Sequence, residues 1–209
     1  MDTAFLITAF VTMVVIIDPI GMTPIFVALT QGMAPARRRA VAIRACIGAA
    51  LILAVFGAFG EAVLGFVGIS MPAFRIAGGM LLFLTALDML FERRTRRREG
   101  AAGRAEEDEG DDPSIFPLAI PLIAGPGSIA SVILLTGQHP GIAGLALVLG
   151  MTLAVLVLVL VLFLSAGLLE RALGRTGINV TTRLLGMLLA ALAVQFVLDG
   201  LRGVGLAGP

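Results

Sequence analysis

From Gly141 to Leu169 the chain carries no charged residue. A helix that crosses a hydrocarbon core of about 30 Å needs about 20 predominantly apolar residues, so this one stretch is long enough to span a bilayer. Five more segments meet the same requirement. The six lie near 4–30, 41–60, 72–91, 114–136, 142–166 and 181–201. Backbone polar groups in lipid must be satisfied within the segment, so all six are expected to be helices. The composition agrees: 58% of the 209 residues are hydrophobic, 14% are charged, and the mean hydropathy is +1.04. A soluble domain carries about 25% charged residues. A chain this short keeps most of its residues near a surface, and here that surface has to be lipid. An ordinary water-soluble enzyme is excluded. The first segment is not expected to be a cleavable signal peptide, because it lacks a basic start and Asp18-Pro19 interrupts its apolar run.

Charge sets the organisation. The only long polar tract, 92–113, is basic first and acidic after, and reads as a disordered linker between two membrane halves. The expected division is a first three-helix unit over 1–91, the polar linker over 92–113, and a second three-helix unit over 114–209. With six spans, one side of the membrane receives Arg37, Arg38, Arg39, Arg93, Arg94, Arg96, Arg97, Arg98, Arg104, Arg171 and Arg175, and the other only Arg202. Eleven against one places the linker in the cytoplasm and both termini outside. The net charge of +1 offers nothing to a nucleic acid. One Cys (Cys46) and one His (His139) exclude an internal disulfide and a Cys/His metal cluster. All fifteen basic residues are Arg, so mechanisms that need Lys are absent. With no G-x-S-x-G and no G-x-G-D, catalysis is not expected. The partners are a small-molecule solute and the lipid bilayer, with a possible second copy of the chain. No cofactor is expected beyond a coupling proton or Na+.

Two spans are interrupted near their middles. The first contains Asp18-Pro19-Ile20-Gly21-Met22-Thr23-Pro24, the fourth Pro117, Pro121 and Gly125-Pro126-Gly127-Ser128. Proline removes a backbone donor and clashes with the preceding turn, so both helices are expected to be discontinuous. Backbone freed at that depth has to face protein or a watery cavity. A shift of 106 residues aligns Gly21 with Gly127, Leu29 with Leu135 and Thr30 with Thr136; a shift of 108 aligns Arg75 with Arg183 and Gly78 with Gly186. Three spans per half then predict two inverted three-helix repeats, as in many secondary transporters. The two breaks are expected to meet across the pseudo-two-fold axis.

This arrangement suggests a site. Half-helices starting near Gly21 and near Gly127-Ser128 present N–H groups and positive dipole ends to a carboxylate, with Ser128 as a cap or ligand contact. A carboxylate at the bilayer centre is costly and a functional candidate by default, so Asp18 is expected to take an ammonium or a coupling proton. The alternative is a structural pair with Arg183 or Arg44. Candidate binding residues are Asp18, Pro19, Gly21, Thr23, Gly125, Pro126, Gly127, Ser128 and Gln195. Arg75 and Arg183, near the starts of equivalent spans, are expected as gating or structural charges. Asn179, Thr181 and Thr182 read as groups bonded to neighbouring helices, and Gly78, Gly79 and Gly186 as helix-packing positions.

Asp18-Pro19-Ile20-Gly21 with Pro24, Phe74-Arg75-Ile76-Ala77-Gly78-Gly79, the run from Pro117 to Ile129, and Asn179 through Arg183 to Gly186 carry a resemblance. Gln195-Phe196 follows it. Together they resemble the MarC family of bacterial and archaeal inner-membrane proteins over nearly the whole chain except the 92–113 tract. The resemblance implies a six-helix protein grouped with LysE-type exporters, in a family whose SnatA-type members carry small neutral amino acids. The expected activity is therefore secondary transport of a small zwitterion by alternating access. A flippase or exporter of an amphiphilic solute and a non-transporting scaffold are the alternatives.

Overall fold

A computed structural model describes residues 3–91, Arg93 and residues 112–206 of the chain. The 92–113 linker lies outside the described residues apart from Arg93, Asp112 and Pro113, as do the side chains of Glu170, Arg171 and Arg175. The described residues form helices α1 (Thr3–Ile17), α2 (Pro19–Leu29), α3 (Pro35–Val67), α4 (Met71–Leu90), the irregular α5 (Ser114–Ile123), α6 (Pro126–Thr136), α7 (Ile142–Leu164) and α8 (Ala166–Gly203), with no strand among them. Five segments are long and apolar enough to cross a membrane: Thr3–Leu29, Pro35–Val67, Met71–Leu90, Ile142–Leu164 and Thr176–Gly203. The pair α5–α6, bent by 56°, supplies the sixth. The second span is longer than its apolar core suggests, because Pro35 starts the helix just before the basic run and Gly68, at φ 81°, ends it. Ser70 then accepts from Ala73 N–H at 3.3 Å and starts α4.

Both the interior and the outer surface are apolar, and the buried polar groups are few. Phe66, Ile142, Leu168, Phe59 and Leu51 point outward. Inside lie hydroxyls, among them Thr12, Thr23, Thr152 and Ser131, and Asp18 is the one charged side chain in the buried class among the described residues. α4 runs along α8, the most extensive helix pairing in the fold. The approach is close enough that a Cβ on Gly79 would lie 2.7 Å from Ala193 O, as small residues permit between membrane helices. The two breaks are held from outside by α3, α7 and α8. α3 packs on α5, α6 and α7, α1 and α2 pack on α7, and α2 packs on α8. Phe26 of α2 stacks on Phe163 of α7, with centroids 4.3 Å apart and planes at 3°, and ties the half-helix α2 to the most apolar helix.

Candidate functional site

The first break is one residue wide. Pro19 disfavours right-handed helix for the residue before it, and Asp18 leaves the helix at φ 56°, ψ 65°. Aspartate tolerates this left-handed region better than most residues. Its own N–H still closes α1 by donating to Val14 O at 2.9 Å, and Met22 N–H donates to Asp18 O at 3.0 Å. The carboxylate then turns onto α2. Gly21 N–H donates to Asp18 Oδ1 at 3.1 Å, so Asp18 is the N-cap of α2 and Pro19 its first residue. Thr182 of α8 reaches the same carboxylate, its Oγ1 lying 3.5 and 3.4 Å from Oδ1 and Oδ2. Gly21 is required by this packing. A Cβ there would enter the Asp18 carboxylate and lie 2.8 Å from Thr182 Oγ1. Burying a carboxylate costs several kcal/mol; the N-terminus of α2 and donors such as Gly21 N–H and Thr182 offset it.

The second break is wider. Phe116 and Ile120, each preceding a proline, are extended rather than helical. Ala124 and Gly125 then turn the chain, and α6 restarts with Pro126 as its first residue. Gly125 allows the turn, since a Cβ would lie 2.5 Å from Pro121 O. No side chain caps α6. Its first intrahelical bond is Ile129 N–H to Gly125 O, 3.0 Å, so the N–H groups of Gly127 and Ser128 belong to the turn that precedes the ladder. Ser128 does not cap α6. It sits two residues past Pro126, and its Oγ donates back across the bend to Ile123 O at 2.7 Å.

The breaks lie side by side. A Cβ on Gly127 would sit 2.8 Å from Ile16 Cδ1, so the start of α6 rests on the last turn of α1, two residues before Asp18. The fold thus gathers Asp18, Pro19, Gly21 and Thr23 at one break and Gly125, Pro126, Gly127 and Ser128 at the adjoining one. Thr23 Oγ1 is spent on Pro19 O at 3.0 Å. Asp18 is 1% exposed, and Thr23 and Ser128 are buried with it.

Other candidates stand apart. Gln195 follows Thr182 by 13 residues of α8, roughly 20 Å along the axis; its Nε2 donates to Asp199 Oδ1 at 2.8 Å on the exposed face. Arg75 donates from Nη2 to Gly137 O, 3.3 Å, and so holds the C-terminal end of α6, where a cation complements the helix dipole. Arg183 is on the exposed side of α8, next to Thr182. Arg44 pairs with Asp112 at 2.8 Å. Two contacts of note carry little sequence signal. Thr182 on the carboxylate is one of several polar residues in its stretch. Arg38, 5.2 Å above the Phe26 ring, helps line a cavity of about 270 Å³ with Met33, Pro35, Arg39, Phe163, Leu164 and Gly167.

Comparison with known proteins places this geometry in context. Over residues 3–204 the chain matches the family described as MarC family integral membrane protein. It is 39% identical to a UPF0056 membrane protein of Methanocaldococcus jannaschii over 206 residues, 97% of this chain and 98% of the relative. It is 38% identical to the UPF0056 inner membrane protein YhgN of Escherichia coli over 197 residues, 94% and 96% of the two chains. The UPF0056 membrane protein YvbG of Bacillus subtilis is 37% identical over 202 residues, 96% of each. No solved structure matches the chain.

Proposed function

The chain belongs to the MarC family of integral membrane proteins, and from that premise we propose that it is a secondary transporter of a small zwitterion, most simply a small neutral amino acid, working by alternating access. One observation carries this reading: a buried carboxylate and an uncapped helix start adjoin in the middle of the protein, where Gly127 rests on Ile16 beside Asp18. The two poles match the two charges of a zwitterion. Asp18 takes the ammonium, or a coupling proton or Na+ in its place. The N–H groups of Gly127 and Ser128 take the carboxylate at the positive end of α6. At the other break the N–H of Gly21 serves Asp18 instead.

The pairing of helices supports an inverted repeat of 1–91 and 114–209 about the 92–113 linker. Exchanging α1, α2, α3 and α4 for α5, α6, α7 and α8 maps the α1–α7 contact onto α3–α5, α2–α8 onto α4–α6, and α2–α7 onto α3–α6, all of which occur. The α4–α8 and α3–α7 contacts map onto themselves. Arg75, which holds the end of α6 through Gly137 O, and Arg183, on the exposed side of α8 beside Thr182, are then the equivalent structural charges of the two halves. The positive-inside bias supports a cytoplasmic linker and outer termini.

Reconstituted protein tests this directly. Uptake of labelled glycine, alanine and serine is expected, with the rate changed by a proton or Na+ gradient. If none moves under either gradient, the proposal fails. An amphiphilic solute is the second reading, favoured by the cavity whose walls combine Arg38 and Arg39 with Phe163 and Leu164; transfer of a fluorescent anionic phospholipid between leaflets separates the two.

A further inference from the structure

Six threonines on the membrane helices are satisfied within their own turn. Thr23 donates to Pro19 O, Thr30 to Phe26 O, Thr85 to Leu81 O, Thr136 to Val132 O, Thr152 to Val148 O and Thr181 to Gly177 O. Each bonds four residues back, the default for threonine in a helix. Thr12 of α1 and Ser131 of α6 do not. Both are 0% exposed, and neither Oγ has a hydrogen-bond partner. An unsatisfied buried hydroxyl has given up its bonds to water with nothing in return, so two of them call for an explanation.

Their positions are related. α1 and α6 pack antiparallel, with Gly127 against Ile16 at the breaks and His139 edge-on to Phe5 at the far end, centroids 4.1 Å apart. Thr12 is four residues before Ile16, and Ser131 is four after Gly127. Residues four apart share a helix face. Both hydroxyls therefore belong to the faces that meet, at the same level, one turn from the breaks toward the N-terminal side of the membrane. An interface meant only to stay closed has no use for two orphaned hydroxyls there; leucine or alanine packs the same space without the penalty.

We propose that the α1–α6 seam is the gate on the N-terminal side of the path, and that Thr12 and Ser131 line it as a polar subsite. When the seam parts, they bond to water and to the polar groups of a passing solute. In the closed arrangement their unmet bonds destabilise the seam and keep opening within reach. This rests on the transport reading, and deepens it by naming the route between the breaks and that face.

The test is side-specific thiol labelling in vesicles, with Cys46→Ala as background and Thr12→Cys or Ser131→Cys added singly. A membrane-impermeant maleimide is expected to label both positions from the N-terminal face, and Leu53→Cys, buried in α3, from neither. The double variant Thr12→Val with Ser131→Ala removes both hydroxyls at nearly constant shape. It is expected to raise Tm by about 2–4 °C per relieved hydroxyl and to slow labelling at Ile16→Cys. No labelling at positions 12 and 131 from the N-terminal face, or a fall in Tm for the double variant, overturns the gate. Neither readout needs flux. Labelling without uptake of any amino acid supports the gate and sinks the zwitterion reading; uptake without labelling does the reverse.

Discussion

The two breaks solve the same problem differently. Both interrupt a membrane helix with proline and must do something with the N–H groups of the helix that follows. At the first, the protein supplies its own anion: Asp18 caps α2 through Gly21 N–H and takes Thr182 from across the fold. The two halves still run as one 27-residue span, Thr3–Leu29. At the second, no side chain caps α6, Ser128 braces the bend through Ile123 O, and the axis turns by 56°. One break presents negative charge and the other the positive end of a helix. A symmetric pair of breaks would offer two poles of one sign; these two differ in sign.

Asp18→Asn is expected to have the largest effect, because it erases the charge that distinguishes the first break. Asparagine caps helices about as well as aspartate and tolerates left-handed backbone. The fold should survive, with Tm within about 3 °C of the parent, about 1 kcal/mol at this chain length. Amino-acid flux is expected to fall at least about tenfold, as for loss of a functional charge inside a membrane. Parent-like flux in a well-folded Asp18→Asn protein would reduce Asp18 to a structural cap.

Alanine at the equivalent glycines measures how much the breaks differ in rigidity. At Gly21 the new Cβ meets the capping carboxylate and Thr182 Oγ1, so the cap or the α8 contact must move. Overpacking with a damaged cap is expected to cost about 3 kcal/mol, a fall in Tm of roughly 6–12 °C. At Gly127 the Cβ meets Ile16 Cδ1, the far end of a flexible side chain. There the loss is expected to stay near 1 kcal/mol or less, since alanine also restricts the unfolded chain. Equal losses would mean that the breaks are packed alike. Ser128→Ala comes next. It removes the bond to Ile123 O, costs about 1 kcal/mol, and loosens the bend; thermal unfolding together with a modest rise in the KM for alanine checks both consequences.

Much of this was legible in the residues. Six spans follow from apolar length, and the two breaks from Pro19, Pro117, Pro121 and Pro126. The difference between the breaks was partly written there too. An aspartate directly before a proline is the signature of an N-cap followed by the first helical residue, so the occupation of Gly21 N–H by Asp18 could have been read from Asp18-Pro19. Partners across the fold were not legible. Thr182 meets Asp18 because α8 packs on α2, and no local pattern sets it apart from Thr181. Thr12 is a single hydroxyl in an apolar run, and only the register of α1 against α6 gives it meaning. Ser128 has the residue type of a cap, but the cap position falls at Gly125, where the bend ends.

Gln195 tests the comparison from outside, with the smallest expected effect. It lies about 20 Å from Thr182 along α8, on the exposed face, bonded to Asp199, which also pairs with Arg202 at 3.2 Å. An exposed pair four residues apart contributes about 0.2–0.5 kcal/mol. Gln195→Ala should therefore leave flux at the parent level and move Tm by no more than about 2 °C. The informative pairing is with Ser128→Ala, measured in the same vesicles. If Gln195→Ala slows amino-acid flux and Ser128→Ala does not, the solute path runs along the outer face of α8, and the unlike charges of the two breaks are only a way of holding a bent helix in lipid.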